Sequence, residues 1–83
     1  MKGSLIMIDE IKIMEYRDSI VNKVSEQGYA DDEELMQNIA WAFSTAIFSS
    51  SAEHLSTDAT IALCRERVTA YTDNYYGDHI DID

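Results

Sequence analysis

The chain has 83 residues, 46% of them apolar and 27% charged, and its six Lys and Arg stand against 16 Asp and Glu for a formal net charge of −10. That length holds one domain with a core of modest size, and five Tyr, two Phe and one Trp exclude the aromatic-poor composition of a disordered acidic chain. The charge is concentrated: residues 1–27, 28–60 and 61–83 carry nets of −1, −6 and −3, and no Lys or Arg falls between Lys23 and Arg65. Such a surface repels phosphate backbones and anionic lipid and attracts basic protein grooves, so direct nucleic-acid and membrane binding are not expected.

Residues 1–7 form an N-terminal arm whose apolar part is too short for a secretory signal. The first helix is predicted from Ile8 or Asp9 to about Gln27, with Ile13, Ile20 and Val24 on one face beside Met14, Tyr16 and Val21. Gly28 then supplies a left-handed cap.

The second helix has the clearest start. Asp31 and Glu34 have the spacing of a capping pair, and the run Asp31, Asp32, Glu33, Glu34 suits the positive end of the helix dipole. Leu35, Met36, Ile39, Ala42, Phe43, Ala46 and Ile47 then share one face, and the serines at 49–51 are expected to end or bend the helix, with a further short turn over Ala52 to Leu55.

The third helix follows Ser56 or Thr57 as N-cap and stops at Gly77. Its packing seam is predicted as Ile61, Cys64, Val68, Tyr71 and Tyr75. The acidic tail 78–83 alternates polar and apolar residues as a strand would.

Trp41 and Phe48 fall opposite the main apolar face of the second helix, seven residues apart. Three coverings fit such a strip: another segment of the same chain, a second copy, or a partner protein, where aromatic anchors dominate binding energy. Metal chemistry has little support. His79 with Asp78, Asp81 and Asp83 does not converge in an extended tail, and a calcium loop around Gly77 would need Thr72, Asn74 and Tyr76 as ligands. Cys64 sits in an apolar stripe, where a thiol serves as a small hydrophobe, and the carboxylates sit at helix starts rather than in a pocket. No enzymatic activity, metal or cofactor is therefore expected. As the chain's one cysteine, Cys64 excludes an internal disulfide and suits a reducing, cytoplasmic setting, and no apolar run approaches the roughly 18–20 residues that span a bilayer.

The chain ends Tyr76-Gly77-Asp78-His79-Ile80-Asp81-Ile82-Asp83, after a helix that contains Cys64-Arg65. This segment resembles the C-terminal end of phage-encoded type I-E anti-CRISPR proteins, small acidic helical dimers with a Tyr-Gly-Asp-x-Ile-Asp segment and an acidic finish. The match is confined to residues 76–83; this chain is shorter, and its first two helices do not align. The resemblance implies an inhibitor that occupies a protein surface of a host defence nuclease complex, with the tail free to contact that partner.

These readings combine into a single all-α domain over residues 1–83, a bundle of three main helices with or without one short extra helix, expected to dimerise. The expected function is non-enzymatic binding that blocks or regulates a protein with a basic surface. The expected contact residues are Asp31, Asp32, Glu33 and Glu34 for steering, Trp41 and Phe48 for burial, and Asp78 and Asp81 in the tail. The alternatives are a nucleic-acid mimic and a helical adaptor or assembly subunit.

Overall fold

In a computed structural model, which describes residues 8–77 and 80–82, the chain is an all-α bundle of helices α1 (Glu10–Val24), α2 (Glu33–Glu53) and α3 (Thr57–Tyr76). No strand occurs among the described residues. Helix α2 packs chiefly on α3, and α1 lies against both. The expected arm and the calls it carried on residues 1–7 lie outside the described residues, as do Asp78, His79 and Asp83.

The helix starts follow from their caps. Asp9 accepts a hydrogen bond from the Lys12 amide at 3.1 Å, and Ser56 accepts one from the Ala59 amide at 3.1 Å, each satisfying a donor that the first turn leaves open. The Asp9 amide in turn donates to Thr57 Oγ1 at 2.9 Å, which ties the start of α1 to the start of α3.

Three boundaries differ from the sequence expectation. Helix α1 ends at Val24, not near Gln27, and passes into a π-helical turn, Ser25–Tyr29, that is kinked at Gly28, whose φ of 103° is not helical. Helix α2 is capped by Asp32 rather than Asp31: Asp32 Oδ1 accepts from the Leu35 amide at 2.9 Å, and Tyr76 Oη donates to its other oxygen at 2.7 Å. Two adjacent aspartates compete locally, and the one that α3 also reaches takes the cap. The serine run remains helical, so α2 continues to Glu53 and no separate turn forms; His54 closes it at φ 57°. Ser50 lies on the buried face, extending the packing stripe where serine costs little in helix propensity.

The seam of α3 is also shifted. Thr60, Cys64, Val68 and Thr72 are buried, while Tyr75 is 69% exposed. Threonine fits here because its hydroxyl bonds back within the helix, Thr60 to the Ser56 carbonyl at 2.8 Å and Thr72 to that of Thr69 at 3.0 Å.

A single apolar cluster joins all the segments: Ile13, Ile20 and Val24 from α1, Leu35, Ile39 and Phe43 from α2, Cys64 and Val68 from α3, and Ile80 and Ile82 from the tail. The alternation read in the tail is real, with Ile80 and Ile82 buried and Asp81 exposed, but no ladder forms. The side chain of Gln27 takes the place of a neighbouring strand, accepting from the Asp81 amide at 2.9 Å and donating to the Asp81 carbonyl at 2.6 Å. Gln27→Ala is expected to cost about 1 kcal/mol, the net worth of such bonds at a half-open site. Hydrogen exchange at the Asp81 amide checks it, with protection falling well before that of the α2 core.

Candidate functional site

The up-and-down packing of the helices brings one end of the bundle together from four segments. Asp31, Asp32, Glu33 and Glu34 begin α2, Glu26 lies in the π-helical turn, Asp73 in the last turn of α3 and Asp81 in the tail. Three contacts across the chain hold the arrangement: Tyr76 with Asp32, Gln27 with Asp81, and Tyr71 Oη donating to Glu34 Oε1 at 3.3 Å. Asp31 and Glu33 remain exposed beside them. The ion pairs Lys12–Asp58 and Arg17–Asp18 lie elsewhere, the first at the opposite end and the second midway along α1.

Hydrogen bonding sets the chemistry of this end. The Tyr76 hydroxyl, and then the Leu35 amide, hold the Asp32 carboxyl below the usual carboxylate range. The phenols of Tyr71 and Tyr76 are pushed up, first by burial and then by their acidic neighbours Glu34 and Asp32. The carboxylates therefore remain anionic while the phenols remain neutral donors. Tyr71 stacks on Tyr75 with ring centroids 4.6 Å apart, and Tyr29 meets Tyr76 edge-on at 5.4 Å, so an aromatic layer underlies the carboxylates.

The flank of α2 is different in kind. From Leu35 to Ala52 it contains no charged residue, and Trp41 and Phe48 stand 69% and 76% exposed on it. Of the coverings expected for this strip, one by the chain itself is not formed among the described residues. A shallow groove of about 500 Å³ runs beside Trp41, with Asn38 and Thr45 on the α2 side and Arg67, Ala70 and Tyr71 on the α3 side. Arg67 reaches back across it to Thr45 Oγ1 at 2.7 Å and Ser49 Oγ at 3.4 Å.

The structure thus gathers Asp31, Asp32, Glu33, Glu34 and Asp81 at the acidic end and sets Trp41 and Phe48 apart on the flank. Sequence reading missed Glu26, Asp73 and Gln27, and it placed Tyr75 in the packing seam rather than on the surface. For Tyr75 a signal existed, since the threonines at 60 and 72 mark a stripe one position away from the tyrosine seam; for the others the tertiary contact is the only signal.

Cys64 is fully buried in the core, whereas His54 is exposed at the end of α2, lining a cavity of about 350 Å³ with Ile47, Ser50 and Leu55. Among the described residues, no group of three or more His, Cys, Asp and Glu side chains is placed to hold a metal ion. No described helix is long and apolar enough to cross a membrane.

Burial pushes the Cys64 thiol from 9.0 up to about 11. Its folded value is raised above the unfolded one, so its contribution is complete below pH 9.0 and is lost as pH climbs through about 11. The raised Tyr76 phenol acts in the same direction at the upper end of that range. The denaturant midpoint is expected to fall between pH 8 and pH 11, with Cys64 accounting for on the order of 2 kcal/mol, and Cys64→Ala is expected to flatten the slope.

No family model matches the chain, and neither the curated proteins nor the solved structures contain a match to it.

Proposed function

We propose that this chain is a non-enzymatic binding protein that engages a basic surface on a partner protein through its carboxylate-rich end, and so blocks or regulates that partner. The observation that carries this reading is the run Asp31, Asp32, Glu33 and Glu34 at the start of α2, where Tyr76 and Tyr71 hold the Asp32 and Glu34 carboxylates and Gln27 holds the tail backbone at Asp81 on the same end. A pre-organised anionic end loses little freedom on binding and steers a cationic partner into place. The resemblance of residues 76–83 to type I-E anti-CRISPR proteins supports placing it among phage or mobile-element inhibitors of host defence, acting in the cytoplasm. The same reading takes the protein as a homodimer.

Capture from host lysate tests it, with wild type and an Asp31→Asn, Glu33→Gln variant as baits. A basic protein retained by wild type, released by salt and weakly held by the variant is expected. Capture that ignores both salt and the variant would remove the electrostatic reading. Displacement of the captured protein by duplex DNA would instead identify the acidic end as a nucleic-acid mimic, the reading its surface of exposed carboxylates supports second.

A further inference from the structure

We infer that a second copy of this chain covers the uncharged flank of α2, with the two α2 helices antiparallel and crossing midway between Ser44 and Phe48. This rests on the homodimer reading above and assigns its surface and orientation.

Charge selects the face. Two molecules of net −10 repel each other over most of their surfaces, yet the α2 flank from Leu35 to Ala52 brings no charged side chain to a contact. The same absence argues against a basic helix as the occupant, because this stretch offers its cations no carboxylate and Arg67 borders the groove.

Spacing selects the geometry. Gln37, Trp41, Ser44, Phe48 and Ser51 are all exposed and recur at intervals of four, three, four and three, the period of a helix-pairing seam. Large and small alternate along the middle of it: Trp41, Ser44, Phe48, Ser51. An antiparallel partner crossing midway between Ser44 and Phe48 sets Trp41 against Ser51 and Phe48 against Ser44 of the other copy, as close packing requires. A parallel partner would set ring on ring and would bring the Asp31–Glu34 runs of both copies together, along with their helix dipoles. Antiparallel pairing sends the two acidic ends in opposite directions, so one dimer presents two separate sites for a basic partner.

The area is of the right order. Covering an aromatic ring at this exposure removes on the order of 150 Å² from water, so four rings supply about half of the roughly 1,200 Å² at which specific interfaces begin. The small side chains between them, and the groove walls at Asn38 and Ala70, lie where they extend that contact.

Trp41 is the only tryptophan, so its emission reports on this face alone. Sedimentation and emission are measured together from roughly 1 to 200 µM, the range in which a dimer of modest affinity assembles. The expected result is a monomer–dimer transition with a blue shift of Trp41 emission at the same midpoint. Ser44→Arg, at an exposed helical position, is expected to weaken the dimer at least roughly 30-fold with unchanged circular dichroism. Spin labels at Asp31→Cys are expected more than about 30 Å apart in the dimer, given about 1.5 Å of helix rise per residue. A monomer at every concentration would overturn the dimer reading and this face together. A dimer whose Trp41 emission does not move, or which tolerates Ser44→Arg, would overturn this face and leave dimerisation to another surface. Labels near 10 Å, the spacing of parallel neighbours, would overturn the orientation.

Discussion

Replacing Ile80 and Ile82 together by alanine is expected to lower the stability of the bundle by about 4 kcal/mol, taking the lower end of the range for each buried isoleucine. Their exposures of 3% and 6% are those of core residues, although they lie in an irregular tail. The lower end applies because a terminal segment closes over a lost methyl group more readily than a helix does. Against the roughly 4–12 kcal/mol that a chain of this size retains, such a loss removes from about a third to all of the stability. The effect is larger than the tail's length suggests because its attachment is cooperative: once the isoleucines lose their seat, the Gln27 amide loses the Asp81 backbone it holds. Urea unfolding of the wild type and the double variant checks this. A difference below about 1 kcal/mol would mean that the bundle keeps its core without the tail.

Neutralising Asp31 and Glu33, as Asn and Gln, is expected to slow association with the basic partner by roughly tenfold to 30-fold while leaving the fold intact. Each exposed carboxylate within a screening length of about 8 Å from a partner cation contributes around 1 kcal/mol to the encounter. Rim charges of this kind act chiefly on the association rate. The pair is chosen because Asp32 and Glu34 have structural duties that would confuse the result, Asp32 capping α2 and accepting from Tyr76, Glu34 accepting from Tyr71. The helix start loses a few tenths of a kcal/mol of dipole interaction for each charge removed, well below the binding effect. Association rates at several ionic strengths provide the measurement. The wild-type rate falls steeply with salt and the variant's less so; parallel salt slopes would show that this end does not steer the partner.

Much of the fold was legible because local rules agree. The apolar spacing of α1 and α2 and the glycines at 28 and 77 each have one reading, and the structure adopts it with Gly28 and Gly77 at φ 103° and 68°. Where local rules tie, the sequence could not choose. Asp31 and Asp32 are equally good caps until Tyr76, 44 residues away, donates to one of them. Three serines equally suit a helix end or a helix whose next turn must be buried.

What the sequence by itself determined was three amphipathic helices, a strong negative charge and a charge-free stretch holding Trp41 and Phe48, since propensity, periodicity and charge are properties of neighbours along the chain. Only the tertiary structure decided that Glu26, Asp73 and Asp81 join the start of α2 at one end, and that Ile80 and Ile82 belong to the core. Those outcomes depend on which ends the antiparallel packing places side by side. The Gln27–Asp81 contact spans 54 residues and leaves no periodic trace in the chain.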